Sequence, residues 1–443
     1  MSKPTRREFI KTGAGALGAG MMLPVLNRTA VGTTLVKQVA QNAAGNGNIL
    51  VIVELAGGND GLNTIIPLAQ YNTYASLRPF IKIAQDQVLP LYGSSTMGMT
   101  QGFSVIKPLA DAQKLAVIQA VGYPSPNLSH FSSRDIWYAG INNPNISTLN
   151  RAGWIGRHSA LFGNASNSLD TVSIGSVNTT LYAAGATVAG ISNSNNGDPL
   201  GYQFNTDNSF SGDRNNQLTA AKIMDTSASS VPYVDLNETS TLDAITSADL
   251  VSLADSEYDN RTGGHVGHTH PDYQTSGNNF SAGMKLIAKV ATATPSSGTR
   301  VFYISSGGYD THSDQLNATN GQAALLNKVC IGLKAFYDDM TAHGLADKVI
   351  IMIWSEFGRR VGDNASIGCD HGTANNVYVL GNRVKGGVYG ADPNLTDLSG
   401  GNLKFKIDFR QIYATIIQDW LGGDPVAVLN GSFANLGFLM PSA

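Results

Sequence analysis

The sequence contains only two cysteines, Cys330 and Cys369, among 443 residues. Two thiols cannot build a disulfide framework, although a single bridge is compatible with an oxidising compartment. The sequence also lacks a haem motif, an iron–sulfur cysteine set and a dinucleotide fingerprint, which argues against a redox enzyme. Cys330 lies in the periodic segment ALLNKVCIGLKAFY, which favours a core position, whereas Cys369 directly precedes Asp370 and His371.

Charged residues are also scarce, at 14% of the chain, and the formal net charge is -3. A nucleic-acid-binding domain usually has a basic surface and a high pI, so this balance argues against a nucleic-acid partner. Apolar residues make up 42% of the sequence, which is enough to bury a large core and excludes global disorder. The 49 glycines, with frequent Asn, Ser and Thr, favour a loop-rich exported protein.

The first 30 residues have the layout of an export signal. The segment MSKPTRREFIK carries paired Arg6 and Arg7 and precedes the uncharged stretch TGAGALGAGMMLPVL. This pattern resembles a twin-arginine signal, and its apolar part is too short for a stable membrane span. We therefore predict a signal peptide and linker at 1–45, a contact with the twin-arginine export machinery, and a periplasmic or secreted protein. The alternative is a chance basic segment before a helix.

Five short apolar runs predict buried parallel strands. They do not alternate with polar residues, which is typical of strands covered on both faces. Helical periodicity at 282–292, 321–342 and 408–423 lies between or after them. This order predicts an α/β fold with a mostly parallel sheet and helices on both faces. The runs are 49–55, 114–121, 300–305, 349–355 and 376–381.

The middle of the chain has a different composition, rich in Asn, Ser, Thr, Gly and Asp. We predict an insertion at about 176–275 within a single domain that spans 46–443. The segment GGHVGHTHPD in this region holds His265, His268 and His270. Their spacing is compatible with a metal, while the glycines favour a flexible loop, and the sequence leaves both interpretations open.

Polar residues gather in the loops next to the predicted strands. Ligands of open α/β sheets bind beyond the carboxyl ends of the strands, so these loops are where a site is expected. Carboxylates and imidazoles in one dry crevice need charge compensation, and Zn²⁺, Mn²⁺ or Mg²⁺ suits such ligands. The predicted metal ligands are Asp60, Asp310, His312, Glu356, Asp370 and His371.

Each of these residues also has a structural explanation. Asp60 in GGNDG can bond its own backbone, and Asp310 can cap a helix. His312 can be a surface histidine, and Glu356 can pair with one of the two arginines that follow it. Their coincidence at one predicted sheet edge favours a site.

The segment SHFSSRDIW supplies the candidates for catalysis. Ser129 opens a predicted helix, where it is either part of the site or an N-cap. The helix N-terminus attracts anions, and Arg134 follows at a position from which it can bind an anion bidentately. His130 is the candidate proton donor to the leaving group, with His371 as the alternative.

The chain resembles the domain-of-unknown-function family number 1501 of exported bacterial proteins. The resemblance runs from about residue 49 to the end, on the segments VIVELAGGNDGLNTIIP, SHFSSRDIW, GGYDTHSDQ, SEFGRR, CDHG and GGDPVAVLNGSFANLGFL. That family is similar to the alkaline phosphatase–sulfatase superfamily. Members of the superfamily bind one or two metals at the carboxyl edge of an α/β sheet and use a Ser, Thr or modified Cys nucleophile.

The superfamily resemblance assigns roles by position. Asp60 matches the first-strand metal aspartate, and Ser129 falls near the place of the nucleophile. Asp310 and His312 resemble a carboxylate–histidine metal pair, and His371 resembles a late metal histidine. These correspondences imply an alkaline-phosphatase-like sheet with a metal site at one edge.

The sequence departs from the superfamily pattern at three places. Glu356 stands where an Asp-His pair is usual, and Phe357 replaces the histidine. The spacing from Asp310 to His312 is shorter than the common form, and Asp370 has no counterpart. The prediction is an exported, metal-dependent hydrolase of small anionic phosphate or sulfate esters, with a serine nucleophile or a metal-activated water. The alternative is a non-catalytic exported binding or surface-assembly protein with a degenerate phosphatase-like fold.

Overall fold

The computed structural model describes residues 47–142, 152–164, 167–183, 186, 188–199, 247–258, 271–293 and 298–440. The predicted leader at 1–45 lies outside the described residues, as do the three histidines of GGHVGHTHPD and much of the predicted insertion. The division into a leader and one domain with an insertion therefore stays a prediction. Among the described helices, none is long and apolar enough to cross a membrane.

The secondary structure alternates strands with helices along most of the described chain. In chain order, the strands are β1 (Ile49–Leu55), β2 (Ile65–Pro67), β3 (Leu89–Pro90), β4 (Met97–Met99), β5 (Leu115–Gly122), β6 (Thr171–Ile174), β7 (Val188–Ile191), β8 (Val301–Ser306), β9 (Val349–Trp354), β10 (Asn375–Gly381), β11 (Gly387–Tyr389), β12 (Leu398–Ser399), β13 (Asn402–Leu403) and β14 (Ile407–Asp408). The helices include α1 (Tyr71–Leu77), α2 (Lys107–Asp111), α3 (His130–Ala139), α4 (Trp154–Phe162), α5 (Asn279–Thr292), α6 (Gln322–Ala342), α7 (Phe409–Ile416) and α8 (Pro425–Leu429). Residues 247–258 are also helical. A π-helical turn, Ile417–Leu421, continues α7.

The central sheet contains nine of the described strands. Their order is β11-β5-β10-β9-β1-β8-β6-β7, and β14 pairs with β5 beside this path. All five predicted strands are found in this sheet, within one residue of their predicted ends. β7 comes from within the segment predicted to be an insertion and forms one end of this order. The remaining strands form a three-stranded sheet, β2-β4-β3, and the pair β12-β13.

Both faces of the central sheet are covered by apolar residues. Along β1, Val51 and Val53 belong to one core cluster, whereas Leu50 and Ile52 belong to the other. Successive side chains of a strand point to opposite faces, so each cluster lies on its own side of the sheet. Helices α5 and α6 contribute to the first cluster, and α3, α4 and α7 to the second. The predicted α/β sheet with helices on both faces is confirmed.

One strand of the sheet runs against the others. β10 is antiparallel to both of its neighbours, β9 and β5, whereas the other pairings in this sheet are parallel. The prediction of a parallel strand at 376–381 is therefore wrong in direction. The connection at 355–374 contains no helix, and a parallel return needs a crossover that usually includes one. As a result, the carboxyl ends of β1, β5, β8 and β9 meet the amino end of β10 at one edge.

A β-bulge interrupts β5 close to this edge. Val377 opposes Ile118, whereas Asn375 opposes Val121, so β5 carries one residue more than β10 over this stretch. Within the bulge, Ala120 has a φ of 50°. A bulge bends its strand and increases the local twist, and it re-aims the chain that follows. Here that chain leads into α3, whose first residue is His130.

Candidate metal centre

Three side chains from three different loops converge at the carboxyl edge of the sheet. His130 begins α3, Asp310 follows β8, and His371 precedes β10. One ligand atom from each lies within 4.8 Å of the other two, and in the described part of the chain these residues form the group that could hold a metal ion. Imidazole nitrogens with a carboxylate oxygen suit Zn²⁺ and related divalent cations. These three residues are called the ligand triad below.

His312 lies directly beside the ligand triad. Its Nε2 atom is 2.9 Å from Nε2 of His371 and 3.1 Å from Oδ1 of Asp310. Its Nδ1 atom is 3.3 Å from Oδ1 of Asp370, so Asp370 contacts His312 on the side away from the triad. The structure thus brings together four of the six predicted ligands, Asp310, His312, Asp370 and His371, and adds His130.

The orientation of His371 leaves its Nε2 atom without a proton in the neutral ring. Its Nδ1 atom lies 2.9 Å from the carbonyl oxygen of Leu128, which only accepts, so Nδ1 carries the hydrogen. Burial lowers the pKa of His371 below its ordinary value, although the hydrogen bond with Asp310 opposes this, so the neutral form is favoured. A backbone carbonyl on one ring nitrogen is the usual way to orient a metal-binding histidine.

Glu356 holds His130 rather than facing the opening of the site. Its side chain is fully buried and accepts the N–H groups of Gly57 at 3.0 Å and Gly58 at 3.1 Å and the hydroxyl of Ser355 at 3.0 Å. Nδ1 of His130 lies 2.8 Å from the same carboxylate. Burial alone raises the pKa of Glu356, but the hydrogen bond from His130 and the charge of Arg134 outweigh it, and the pKa is lowered.

This contact fixes the other nitrogen of His130. Because Nδ1 is engaged by Glu356, Nε2 points toward Asp310, whose Oδ2 atom lies 3.3 Å away. Nε2 is buried and makes no hydrogen bond to any described residue. The hydrogen bond to Glu356 raises the pKa of His130, and burial opposes this. A buried nitrogen without a hydrogen bond, aimed at a carboxylate, has the geometry of a metal ligand.

Asp310 is anchored by a buried arginine. Nη2 of Arg359 lies 2.7 Å from Oδ1 of Asp310, and the same guanidinium donates to the carbonyl groups of Gly58 and Cys369. Burial opposes ionisation, but the hydrogen bond from Arg359 and the nearby imidazole of His371 lower the pKa of Asp310 to about 2. Gly57, with a φ of +126°, permits this close packing, because a Cβ there would lie 2.4 Å from the Asp310 nitrogen.

Asp60 stands apart from the ligand triad. Its side chain is 1% exposed, and Oδ2 contacts Nη1 of Arg78 at 2.5 Å and Nε2 of Gln315 at 2.7 Å. Oδ1 accepts the backbone N–H of Leu62 at 3.1 Å. Both carboxylate oxygens are therefore engaged in a buried network, which does not match the predicted role of a metal ligand. Through Arg78, which also donates to the carbonyl of Val361, this network supports the loop that carries His371.

Ser129 lies at the rim of the site. It is the N-cap residue of α3, is exposed, and makes no side-chain capping hydrogen bond. Its chain neighbours on both sides contact the site: the carbonyl of Leu128 holds His371, and His130 belongs to the ligand triad. Its side chain does not cap α3, and its role as a nucleophile stays a prediction.

Arg134 lies one helical turn after His130, as predicted. Its Nε atom is 2.9 Å from Oε1 of Glu54 and 3.4 Å from Oε1 of Glu356. Burial favours the neutral form of Arg134, but the two carboxylates outweigh it and raise the pKa, so the guanidinium stays charged.

Sequence reasoning missed Glu54 and the role of Arg359. Glu54 is the one charged residue of the apolar run ILVIVEL. A charged residue in a buried strand is unusual, and this was the signal that could have identified it. Arg359 was considered as a partner for Glu356, but it pairs with Asp310. Cys369 is a buried thiol that contacts the carbonyls of Arg360 and Gly362, and burial raises its pKa to about 12.

The fold and this edge define an α/β protein with a histidine–carboxylate cluster of metal-ligand type beyond the carboxyl ends of its strands. Residues 48–429 match the family described as a protein of unknown function, DUF1501, and the chain belongs to that family. The family predicted from the sequence segments is thus confirmed. No curated protein matches the sequence.

Three crystal structures are similar to this chain. PsFucS1 sulfatase from Pseudoalteromonas sp. has a TM-score of 0.38 at 9% identity, covering 94% of this chain and 78% of that chain. A protein in the alkaline phosphatase superfamily from Vibrio parahaemolyticus has a TM-score of 0.35 at 9% identity, covering 91% and 79%. The structure of Ps i-CgsB has a TM-score of 0.39 at 8% identity, covering 88% and 75%.

Proposed function

We propose that the protein is a metal-dependent hydrolase of small phosphate or sulfate esters. The observation that carries this proposal is the ligand triad, in which Nε2 of His130 and Nε2 of His371 both face Asp310. Each histidine is oriented through its other nitrogen, by Glu356 and by the carbonyl of Leu128. Two histidines oriented in this way beside an anchored carboxylate are the arrangement that a divalent cation requires.

The residues present fit a divalent cation. His130, Asp310 and His371 would hold it, with His312 as a further donor and Asp370 behind His312. When bound, such a cation lowers the pKa of a coordinated water or hydroxyl group and neutralises charge on the ester oxygens. Zn²⁺ suits this histidine-rich set better than Mg²⁺, which prefers oxygen ligands and retains water.

Arg134 and the start of α3 supply the attraction for the anionic part of the substrate. The first turn of α3 presents backbone N–H groups that no earlier carbonyl of the helix accepts, and a helix N-terminus favours anions. Arg134 adds a guanidinium that matches two oxygens of a phosphate or sulfate group. Both lie within one helical turn of His130, so an ester group that they bind would lie next to the metal ligands.

Ser129 is the proposed nucleophile, with a water molecule as its replacement in a one-step reaction. Ser129 is exposed and directly precedes His130 in the chain. Attack by Ser129 Oγ on the phosphorus or sulfur atom, with the hydroxyl proton passed to water, would break the bond to the alcohol oxygen and leave an esterified serine; attack by water would then release free serine and inorganic phosphate or sulfate. His312 is 45% exposed and contacts Asp310 and His371, so when the ligand triad alone holds the cation, His312 is the group that donates a proton to the departing alkoxide.

The test combines elemental analysis of the exported protein with a screen of phosphate monoesters, phosphate diesters and sulfate esters. We expect about one divalent cation per chain and hydrolysis of one of these classes. His371→Ala is expected to lose both, and Asp370→Asn is the matched control at an exposed position outside the ligand triad. A wild-type protein that binds no cation and cleaves no ester would refute the proposal.

A non-catalytic protein is the second candidate. It is favoured by the fully engaged oxygens of Asp60 and the buried position of Glu356, which leave the site with fewer ligands than a two-metal hydrolase needs. Under this candidate, the purified protein would bind a cation at the ligand triad but cleave none of the esters. Export by the twin-arginine route is part of both proposals, and it rests on the segment at 1–45 alone.

A further inference from the structure

A second buried carboxylate lies beneath the site, on the strand at the centre of the sheet. Glu54 is the next-to-last residue of β1, and it is 2% exposed. Its Oε2 atom accepts the hydroxyl of Tyr138 at 2.8 Å and also that of Tyr303. Its Oε1 atom lies 2.9 Å from Nε of Arg134. The two oxygens are therefore divided between a pair of tyrosines and one arginine.

Helix α3 aligns the residues that meet this carboxylate. His130, Arg134 and Tyr138 are spaced by four residues, so they lie along one side of the helix. His130 contacts Glu356, Tyr138 contacts Glu54, and Arg134 between them contacts both acids. Consecutive turns of the helix thus carry the candidate metal ligand His130, the guanidinium of Arg134 and the hydroxyl of Tyr138.

The contact with Glu54 uses only one of the three nitrogen atoms of Arg134. Nε and Oε1 are close, but they are not aligned as a hydrogen bond, so the attraction is that of an ion pair. No hydrogen bond joins a terminal nitrogen of Arg134 to another side chain in the described part of the chain, and the side chain is 28% exposed. Two terminal N–H groups in one plane match two oxygens of a tetrahedral anion.

We propose that Glu54 is a positioning residue that holds Arg134 by its Nε atom and leaves the two terminal nitrogens to bind two oxygens of a phosphate or sulfate group. A free arginine side chain loses rotamer freedom when it binds an anion, whereas an arginine held in advance loses less. Glu356 does not replace this support, because its charge already meets His130, Ser355 and two backbone N–H groups. The inference rests on the proposed function, since it names the group that binds the ester oxyanion.

The test is a double-mutant cycle on the zinc-loaded protein, with inorganic phosphate and sulfate as ligands in calorimetric titrations. Glu54→Gln keeps the size of the side chain and an acceptor for the tyrosines but removes its charge. We expect Glu54→Gln and Arg134→Gln each to weaken anion binding by about tenfold. The double variant should bind no more weakly than Arg134→Gln, because Glu54 acts through Arg134.

Tyr303→Phe is the matched control, since it removes a donor from the other oxygen of Glu54. It should change anion binding by less than about twofold, and metal content should stay at the wild-type value in all variants. If Glu54→Gln fails to fold, Arg134→Lys provides the second test. It keeps a cation beside Glu54 but lacks the planar fork, and about tenfold weaker binding is again expected.

Three results would overturn the inference. They are tighter or unchanged anion binding by Glu54→Gln, a double variant whose losses add, and a wild-type protein that binds neither anion. Ester hydrolysis is measured separately on the same samples. If anion binding follows the cycle but no ester is cleaved, the positioning role stands and the proposed hydrolase function fails.

Discussion

The Nε2 atoms of His312 and His371 lie 2.9 Å apart, at hydrogen-bond distance. Because Nδ1 of His371 carries the hydrogen that Leu128 accepts, His371 can only accept at Nε2 in its neutral form. A hydrogen bond between the two rings would therefore be donated by His312. A metal ion bound by both rings would take the place of this contact.

This relationship predicts that Zn²⁺ or Mn²⁺ stabilises the protein against heat. At a free concentration of about 100 times the dissociation constant, the expected gain in free energy of unfolding is about 2.7 kcal/mol. His371→Ala should abolish the gain, which differential scanning calorimetry with and without a chelator would measure. A variant with His265, His268 and His270 replaced by serine is the control. If that variant loses the stabilisation and His371→Ala does not, the metal is bound by the histidines of GGHVGHTHPD and not by the ligand triad.

Glu356→Gln is expected to weaken metal binding without removing a ligand. The amide cannot accept hydrogen bonds on both atoms, so Gly57 or Gly58 loses its acceptor and His130 loses a charged partner. Changes in such supporting residues typically cost 10- to 100-fold in metal affinity. Competition with a fluorescent zinc chelator would measure the loss. Asp370→Asn, at a largely exposed side chain, should change the affinity much less, and equal losses in the two variants would contradict the assigned role.

Ser129→Ala separates a serine nucleophile from a metal-activated water. If Ser129 forms the covalent intermediate, kcat should fall on the order of 10³-fold or more, with metal content unchanged. Ser132→Ala, three residues further into α3, is the control and should retain activity. Trapping a phosphorylated or sulfated peptide in a rapid quench provides the direct observation. Wild-type turnover in Ser129→Ala would assign the attack to water.

Asp60→Asn should destabilise the fold more than it changes the site. The carboxylate is buried against Arg78, and removal of one partner of a buried ion pair costs about 3–5 kcal/mol. Denaturant titration would measure the loss. Asp111→Asn, in the exposed pair with Lys107, is the control and should cost less than about 1 kcal/mol. A stable Asp60→Asn protein that no longer binds metal would show that Asp60 is a ligand after all.

The burial of His158 predicts that the free energy of unfolding decreases in mild acid. Burial, with a smaller contribution from the charge of Arg300, lowers the pKa of His158 to about 3. The unfolded chain keeps a pKa of about 6.5 and so binds more protons between pH 6.5 and 3, and stability must fall as the pH falls through this window. The expected slope is about 1.4 kcal/mol per pH unit at most. His158→Gln should flatten this slope, and an unchanged slope would exclude His158 as its source.

The strands could be predicted from the sequence because a strand buried on both faces must be apolar throughout. The run 49–55 matches β1 at both ends, and β8 differs from its prediction by one residue. The direction of β10 could not be predicted in the same way. An apolar run has the same composition whichever way it points, and only the connection at 355–374 distinguishes the two cases.

The positions of the candidate residues at the sheet edge could be predicted from the sequence, whereas their contacts could not. Asp310, His312 and His371 meet at the sheet edge because each lies beside the end of a predicted strand. Asp60 and Glu356 have the same type of position, but their side chains turn into the protein, where Arg78 and backbone N–H groups accommodate the charge. Sequence position fixes the edge at which a residue lies, whereas the side-chain direction depends on partners distant in the chain.

The reversed strand β10 has a consequence for how the site can vary. Because β9 and β10 are antiparallel neighbours, residues 355–374 leave the sheet and return to it at the same edge, as a long hairpin. This hairpin carries Arg359 and His371, whose side chains contact Asp310. A change in the length of this hairpin would leave the order and the pairing of the strands unchanged, because β9 and β10 stay paired in the same register. The segment that carries Arg359 and His371 can therefore change in length while the sheet stays as it is.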